Sequence, residues 1–286
     1  MGQILWLEST NLGGKSLESK KILEIQNDAI FIADSHTQTS TQNGRDSLIL
    51  ALQKICDSHS IPSQIFLMGD ISNILVGNLK SSVKSNKSLI NAIDLLSKKA
   101  QVLYFEGNHD FNLEDILPNT LKIPRKNQPL LANFGKRRVL IAHGDIFLDK
   151  KYEIYINILS AKITAKMLQM ADFATFGRMY GVIEKKVQNK KIRFISDESA
   201  ISTLIQSRIQ NYKTYIDSQN LKVDLVIEGH FHLGKIMGQD LCDLPKNAKD
   251  SRESTTKNCP FVYVALPSFL AKDEIFRIKE CDFVRI

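Results

Sequence analysis

The sequence of 286 residues predicts an α/β fold, because buried-strand patterns alternate with amphipathic helix patterns along its first half. Five short apolar runs, rich in Val, Ile and Phe, each end in polar residues, as is typical of strands buried on both faces of a sheet. The five runs are residues 29–33, 65–68, 102–105, 139–142 and 225–227. Residues 45–58 and 88–99 carry apolar side chains at helical spacing, which predicts helices that cover the sheet.

The long segment between the fourth and fifth runs is different in character. Its pattern predicts helices over residues 152–170, 171–187 and 197–219. A simple crossover between parallel strands needs only about a dozen residues. We therefore expect a helical insertion over residues 148–222 within a single domain of residues 1–286.

The chain after the fifth run predicts a loop followed by strands. Residues 238–258 are polar and rich in Lys, Asp, Ser and Thr, which favours a mobile loop. Residues 261–265 and 274–286 alternate apolar and polar side chains, which is typical of strands.

Composition indicates a cytoplasmic globular protein. The formal net charge of +7 favours an acidic partner without identifying one. Apolar runs fall well short of the roughly 18 residues of a membrane span. Glu8 lies where a secretory signal needs its apolar core, and the four cysteines show no CxxC spacing, so we expect a reduced, cytoplasmic setting.

Chemistry-bearing side chains gather directly after the apolar runs. Five of the six histidines follow these runs, His59 being the exception, and aspartates and an asparagine accompany them. The candidates are Asp34, His36, Asp70, Asn108, His109, His143, His230 and His232. Strand carboxyl ends form the ligand crevice of open α/β sheets, so these side chains are expected to converge. Imidazole with carboxylate suits Mn, Fe, Zn or Ni, and Asp70 could bridge two such ions through its two oxygens.

Each of these residues also has a purely structural interpretation. A single histidine at a strand end is commonly a hydrogen-bonded loop residue. Asp34, Asp70 and Asp110 could be helix N-caps, which is a common use of aspartate. The clustering of five histidines at the ends of the runs favours the metal site.

The motifs Asp-x-His, Gly-Asp, Gly-Asn-His-Asp, His-Gly-Asp and Gly-His-x-His occur in this order over residues 34–232. As a set they resemble the calcineurin-like metallophosphoesterases. The resemblance implies a four-layer αββα sandwich of two mixed sheets. It implies one metal held by Asp34, His36, Asp70 and His232 and a second held by Asp70, Asn108, His143 and His230. It also implies that His109, oriented by Asp110, donates a proton or hydrogen bond at the scissile phosphate. We expect two divalent cations, manganese first, with iron, zinc or magnesium as alternatives.

The predicted insertion combines basic and apolar side chains. Residues 150–193 contain ten Lys or Arg and three acidic residues, together with many aliphatic and aromatic side chains. This combination favours a lid over an amphiphilic substrate, with basic groups at the phosphates and apolar groups at acyl chains. The candidate substrate-binding residues are Lys162, Lys166, Phe173, Phe176, Arg178 and Tyr180. The alternative is a set of helices that pack on their own core, with the basic residues on solvated faces.

A helical insertion between His-Gly-Asp and Gly-His-x-His resembles that of the UDP-2,3-diacylglucosamine pyrophosphatases of lipid A synthesis. The resemblance implies hydrolysis of the diphosphate by metal-activated water, with UMP and 2,3-diacylglucosamine 1-phosphate as products. It also implies a nucleotide-linked glycolipid as substrate. The basic, apolar insertion favours peripheral contact with the cytoplasmic face of the inner membrane. The best known enzymes of that type have arginine where this chain has His109, so the chain would form a distinct branch.

Two other classes of function remain open from the sequence. The first is another hydrolase of the same family: a nuclease, a cyclic-nucleotide phosphodiesterase or a protein phosphatase. The second is a non-enzymatic binding module on the same fold, which would be expected to have lost ligands. We expect no nucleic-acid partner, because the aromatic residues near the basic ones are mixed with aliphatic residues.

Overall fold

The computed structural model describes residues 22–38, 47–190, 194–237, 261–279 and 282–285. The strands are β1 (Leu23–Glu24), β2 (Ile30–Ile32), β3 (Gln64–Leu67), β4 (Leu75–Val76), β5 (Gln101–Phe105), β6 (Asp110–Phe111), β7 (Leu121–Ile123), β8 (Leu130–Phe134), β9 (Arg137–Ala142), β10 (Leu225–Glu228), β11 (Lys235–Met237), β12 (Val262–Ala265), β13 (Phe276–Lys279) and β14 (Asp282–Arg285). The helices are α1 (Ser47–Asp57), α2 (Lys80–Ser85), α3 (Lys87–Ser97), α4 (Lys150–Ser160), α5 (Lys162–Ala174), α6 (Arg178–Gln188), α7 (Glu198–Ser218) and α8 (Phe269–Lys272). The loop predicted at 238–258 lies outside the described residues.

Two mixed six-stranded sheets form the framework of the protein. Sheet I has the order β1-β8-β9-β10-β12-β11, and sheet II has the order β14-β13-β2-β3-β5-β7. Strands β9, β10 and β12 run parallel in sheet I, as do β2, β3, β5 and β7 in sheet II. Strands β4 and β6 form a separate parallel pair. A ligand site is therefore expected at the carboxyl ends of β9 and β10 in sheet I and of β2, β3 and β5 in sheet II.

The fold has four layers, helix, sheet, sheet and helix, as the resemblance implies, and the apolar core lies between them. Phe31, Phe66 and Phe105 of sheet II pack against Ile141 and Ile227 of sheet I in the buried cluster between the two sheets. Helices α1 and α3 cover the outer face of sheet II, and α7 covers the outer face of sheet I. The α/β class with two mixed sheets and covering helices is confirmed.

The predicted strands at the five apolar runs are confirmed as β2, β3, β5, β9 and β10. In the predicted insertion, the helix expected over residues 152–170 is divided at Ala161, whose φ of −62° and ψ of 141° are not helical. Helix α7 also lies in that segment, but its buried side chains pack on sheet I. Among the described helices of this segment, α4, α5 and α6 do not join the clusters on either sheet, and Tyr180 of α6 packs instead with Val76, Leu79 and Phe111.

Helices α5 and α6 are fixed to the chain around α2 by polar contacts. Asn78 donates its side-chain amide to the carbonyl of Ala165 at 2.8 Å, and the Asp172 carboxylate accepts from the backbone N–H of Ser81 at 3.1 Å. Ser85 donates its hydroxyl to Glu184. Within the described part of the chain, we find no helix with both the length and the apolar character that crossing a membrane requires.

The cluster between α1, α3 and sheet II makes a testable contribution to stability. Leu52 of α1 is fully buried there, whereas Leu50 of the same helix is exposed. Leu52→Ala leaves a cavity and is expected to lower the free energy of unfolding by about 2–5 kcal/mol. The matched change Leu50→Ala is expected to stay within about 0.5 kcal/mol in urea denaturation. Equal losses in the two variants would contradict this packing.

Candidate metal centre

Seven of the eight predicted site residues bring potential ligand atoms together where the two sheets present their strand ends, and the eighth, Asn108, directly precedes His109 in the same loop. Asp34 and His36 follow β2, Asp70 follows β3, and Asn108 and His109 follow β5. His143 follows β9 in sheet I, and His230 and His232 follow β10. The site therefore lies at the carboxyl ends of strands from both sheets, and neither sheet alone contains it.

Five of these residues have left-handed backbone conformations, which is uncommon for residues other than glycine. Their φ angles are 52° at Asp34, 44° at His36, 50° at Asp70, 66° at His230 and 59° at His232. Such conformations cost of order 1–3 kcal/mol each and persist only where the surroundings enforce them. Their concentration at one place indicates a functional site.

Asp34 lies at one side of the cluster, with His36 and His232. The Nε2 atom of His232 is 3.3 Å from Asp34 Oδ1, and the His36 and His232 rings are 5.6 Å apart. One potential ligand atom from each of the three residues lies within 4.8 Å of those of the other two. The second Asp34 oxygen accepts the backbone N–H of His230 at 2.8 Å, so this carboxylate also joins the loops after β2 and β10.

Asp70 is shared between two further groups of potential ligands. It belongs to a group with His36 and His109 and to another with His143 and His230, each with ligand atoms within 4.8 Å of one another. Asp70 Oδ1 is 3.5 Å from His143 Nε2 and accepts the backbone N–H of His109 at 2.9 Å. This central position is the one expected of a carboxylate that bridges two cations.

Several buried polar atoms of the cluster have no hydrogen-bond partner among the described residues. They are Asp34 Oδ1, His36 Nδ1, Asn108 Oδ1, His143 Nε2 and His232 Nδ1. Buried polar groups in folded proteins are usually paired, so a set of unpaired acceptors at one place requires an explanation. Carboxylate, amide and imidazole atoms are all ligands for divalent transition metals, and the donor set therefore fits such ions.

Two of the histidine rings, those of His36 and His230, are held in the neutral form that metal ligation requires. Burial alone would lower the pKa of His143, but Asp70 beside it raises that pKa well above its usual value. His143 Nδ1 donates to the carbonyl of Met68 at 2.8 Å, which leaves Nε2 free on the side of Asp70. Burial lowers the pKa of His36 to about 4 and that of His230 to about 3, which keeps both rings neutral. Burial alone would raise the pKa of Asp70, but nearby His143 and His109 hold it well below its usual range.

The structure corrects the predicted role of Asp110. Its fully buried carboxylate accepts the backbone N–H groups of Asp70 at 3.0 Å, Ile71 at 2.7 Å and Gly107 at 2.9 Å. It also accepts the hydroxyl of Tyr104 at 2.7 Å. Asp110 therefore fixes the loops after β3 and β5 instead of orienting the ring of His109.

The ring of His109 is held by a backbone carbonyl. Its Nδ1 lies 2.6 Å from the carbonyl oxygen of Asn73, which can only accept, so Nδ1 carries a proton. The ring lies beside His36, with centroids 4.9 Å apart, and is partly exposed. Nε2 is thus the nitrogen left for a substrate.

Two glycines are required by the close approach of the ligands. A Cβ at Gly107 would lie 2.3 Å from Asp70 Oδ1 and 2.9 Å from His143 Nε2. Gly69 has a φ of +89°, and a Cβ there would lie 2.4 Å from the ring of His143. The glycine of each motif therefore leaves space for a candidate ligand from another loop, His143 beside Gly69 and Asp70 beside Gly107.

The predicted substrate-binding residues fall into two groups. Phe173 and Phe176 are 78% and 92% exposed, and Lys166 and Arg178 are also exposed. Tyr180 is only 3% exposed. It packs with Val76, Leu79 and Phe111 and donates its hydroxyl to the carbonyl of Ile74 at 3.1 Å, so it anchors α6 and does not face a substrate. Lys162 begins α5, but its side chain is not among those described.

A small pocket joins the site to helix α4. It is lined by Gly107, Asn108, Phe111 and Arg125 on one side and by Ile156, Leu159 and Ser160 of α4 on the other. Arg125 connects the two sides, because it bonds the Asp145 carboxylate at 2.6 Å and Glu153 of α4 at 3.0 Å. Helix α4 therefore borders the candidate metal centre at Asn108.

Sequence reasoning did not identify two residues next to the site. Phe194 is 51% exposed and its ring lies 5.5 Å from that of His232, but no sequence pattern distinguishes it from its neighbours. Arg208 of α7 is buried beside the loops after β9 and β10. The sequence did carry a signal for Arg208, because it shares the apolar helical spacing of Ile201, Ile205 and Tyr212.

The chain belongs to the calcineurin-like phosphoesterase family, whose sequence profile matches residues 29–234. That range contains every residue of the candidate metal centre. The protein is therefore a metal-dependent phosphoesterase, and the family implies divalent metal ions that the clustered side chains can hold.

One curated relative is a UDP-2,3-diacylglucosamine hydrolase of Vibrio atlanticus (strain LGP32). It is 22% identical over 204 residues, which cover 71% of this chain and 79% of the relative. The solved structures that resemble the chain include a cold-active protein-tyrosine phosphatase of a Shewanella species, at 14% identity and a TM-score of 0.39, with 92% of this chain and 78% of that one covered. A predicted phosphoesterase of Streptococcus pneumoniae TIGR4 aligns at 11% identity and a TM-score of 0.34, with 88% and 81% covered.

The tight fit at Gly107 provides a test of the site. Gly107→Ala forces the Asp70 carboxylate and the His143 ring to move, and a misplacement of about 1 Å can reduce turnover roughly 100-fold. We expect at least that loss in the hydrolysis of bis(4-nitrophenyl) phosphate with added Mn²⁺. Gly181→Ala is the matched control, because a Cβ at this position of α6 meets no atom within 4 Å. Full activity of Gly107→Ala would contradict the site geometry.

Proposed function

We propose that the chain binds two divalent cations through the seven residues that converge at the strand ends. The ligands of the first cation are Asp34, His36, Asp70 and His232, and those of the second are Asp70, Asn108, His143 and His230. The observation that carries this proposal is the set of unpaired buried atoms around Asp70, which has a potential ligand atom within 4.8 Å of His36 on one side and of His143 and His230 on the other. Mixed imidazole and carboxylate ligation favours manganese, with iron, zinc and magnesium as alternatives.

The protein's own groups then account for the remaining requirements of phosphoester hydrolysis. Bound divalent cations would provide a water nucleophile at neutral pH and neutralise charge on the phosphoryl oxygens. His109 presents Nε2 to the phosphate while its Nδ1–H donates to the Asn73 carbonyl, so Nε2 donates a hydrogen bond or a proton when the ring is protonated on both nitrogens. Asp110 acts indirectly, by fixing the backbone that carries Asp70.

The substrate that we propose is an amphiphilic nucleotide diphosphate of the UDP-2,3-diacylglucosamine type. Water would attack one phosphorus and the bridging P–O bond would break, giving UMP and 2,3-diacylglucosamine 1-phosphate. The support from relatives is the similarity to the Vibrio hydrolase. The support from the structure is the surface of helices α4, α5 and α6, which we propose as the substrate lid.

The lid helices expose apolar side chains that a globular core would bury. The exposed set is Ile154, Tyr155, Ile158, Ile163, Met167, Met170, Phe173, Phe176 and Val182. Large apolar side chains exposed in such numbers on three successive helices favour a binding surface. Acyl chains are the ligands that it suits, and α4 reaches the metal centre at the pocket beside Asn108.

The charges of the lid are also separated in a way that suits an anionic amphiphile. Its three acidic residues are engaged by the protein, since Glu153 pairs with Arg125, Asp172 bonds Ser81, and Glu184 bonds Ser85. The exposed charges of the lid are mainly basic: Lys150, Lys151, Lys166, Arg178, Lys185, Lys186 and Lys190. We propose that this surface meets the cytoplasmic face of the inner membrane peripherally, where anionic headgroups and acylated substrate are both present.

A substrate panel on the purified protein with Mn²⁺ tests the proposed function. The diacylated UDP-sugar, its deacylated form, a cyclic nucleotide and single-stranded DNA are compared at equal concentration. We expect UMP release to be fastest from the diacylated compound. Faster cleavage of DNA or of the cyclic nucleotide would instead support another hydrolase of the family.

The role of His109 is tested by His109→Ala. Loss of a positioned proton donor is expected to lower kcat by roughly 10²–10⁴-fold, while the protein still binds Mn²⁺. The exposed His59 offers a matched control, because His59→Ala removes an imidazole that is remote from the strand ends. Steady-state kinetics and calorimetric Mn²⁺ titration give both quantities. Unchanged kcat in His109→Ala would remove this residue from the mechanism.

The lid is tested by Phe173→Ser combined with Phe176→Ser. Removing two exposed aromatic rings is expected to raise KM for the diacylated substrate about tenfold, because acyl contacts are lost. KM for bis(4-nitrophenyl) phosphate, which has no acyl chain, should stay within about twofold by the same reasoning. Leu95→Ser changes an exposed apolar residue of α3 and serves as the control. Equal effects on the two substrates would exclude the lid hypothesis.

A further inference from the structure

A buried arginine connects helix α7 to the loops that carry two of the proposed ligands. Arg208 is 1% exposed, and its guanidinium makes five hydrogen bonds. Two are to the Glu228 carboxylate, at 2.9 and 2.8 Å, in a bidentate arrangement. The other three are to the backbone carbonyls of Gly144, Ile146 and Phe147, at 3.2, 2.8 and 3.2 Å.

These acceptors belong to the two strand ends of sheet I that contribute to the site. Gly144 directly follows His143, and Glu228 lies two residues before His230. The carboxylate of Glu228 also accepts the hydroxyl of Tyr212 at 2.7 Å and the hydroxyl of Tyr263. One guanidinium thus holds the loop after β9 and the end of β10 in a fixed relation.

The loop after β10 needs such support. His230 and His232 have left-handed backbone conformations, which the surroundings must enforce. Phe231, between them, places its ring against the Arg208 guanidinium at 5.1 Å, in a cation–π contact. Arg208 therefore contacts Glu228, which directly precedes this loop, and Phe231, which lies in the middle of it.

We infer that Arg208, through Glu228 and the carbonyl of Gly144, is a positioning residue that sets His143 and His230 at the spacing required by the second cation. The inference rests on the proposed metal centre and assigns to α7 a role that the lid helices do not have. The hydrogen bonds that a buried guanidinium must make fall here on both loops that carry the proposed ligands of the second cation. Partners that orient metal ligands in this way typically change metal affinity roughly 10–100-fold when they are altered.

The test is a calorimetric titration of Mn²⁺ into metal-stripped protein, with wild type, Arg208→Lys and Arg208→Met. Arg208→Lys keeps the charge but loses the bidentate fork, and Arg208→Met also loses the charge. Wild type is expected to bind two ions. Both variants are expected to bind one of the two ions at least about tenfold more weakly. The Mn²⁺ concentration for half-maximal activity should rise in parallel, and kcat at saturating Mn²⁺ should fall less.

Two controls separate positioning from stability. Lys213→Met removes an exposed cation from the same helix, and wild-type affinity for both ions is expected. Leu52→Ala destabilises the remote cluster under α1, so a lower Tm without a change in Mn²⁺ affinity is expected. If Arg208→Met does not fold, Arg208→Lys and Glu228→Gln decide the outcome, since each retains the size of the native side chain more closely.

The outcomes are distinguishable from failure of the proposed function. Two ions bound by wild type, with unchanged affinities in Arg208→Lys and in Arg208→Met or Glu228→Gln, would overturn the inference alone. Affinity that falls equally in Leu52→Ala would also overturn it, because general destabilisation would then be sufficient. A wild-type protein that binds no Mn²⁺ would overturn the proposed metal centre and this inference with it.

Discussion

Two carboxylates, Asp34 and Asp70, are buried between two sheets among imidazole rings, and this arrangement constrains the whole structure. A buried charge is strongly unfavourable unless it is paired or coordinates a metal. Asp34 Oδ1 lies 3.3 Å from Nε2 of His232, whose Nδ1 has no hydrogen-bond partner among the described residues. Divalent cations would offset this electrostatic cost, so folding of the strand ends and metal binding are expected to be coupled.

The carboxylates and the imidazole rings of the candidate site come from different strands of the two sheets. Sheet II contributes Asp34 and Asp70, and sheet I contributes His143 and His230, so the stacking of the sheets determines the spacing of the site. The Asp110 carboxylate fixes the loops after β3 and β5 in sheet II. The ion pair of Glu228 with Arg208 does the same for the loops after β9 and β10 in sheet I. Helices α4 to α6 lie outside the two sheets, and α4 borders the candidate metal centre at the pocket beside Asn108. In the proposed function, these helices carry the substrate surface and the sheets carry the hydrolytic site.

The strands, and the place of the candidate site residues at their ends, could be predicted from the sequence because both depend on local patterns. An apolar run identifies a buried strand, and the polar residue directly after it must lie at the strand's end, as Asp70 and His143 do. Whether Asp110 faces the ring of His109 or the backbone of Asp70 depends on two loops that are 40 residues apart along the chain. The sequence carries no signal for that choice.

The same limit applies to the insertion. Tyr180 and Phe176 are both aromatic residues among basic and apolar neighbours in the sequence. Tyr180 is buried because α6 packs on Val76 and Leu79, whereas Phe176 is exposed. The division of the first predicted helix at Ala161 has no Gly or Pro to mark it. Helix α7 was assigned to the insertion by its place in the chain, whereas its tertiary contacts are with sheet I.

The most direct measurement is a crystal structure with Mn²⁺, using anomalous scattering to locate the ions. The account predicts two peaks roughly 3.5–4 Å apart, with the Asp70 carboxylate between them. Asp34 and His232 should flank one peak, and His143 and His230 the other. A single peak, or two peaks without Asp70 as a common ligand, would contradict the account.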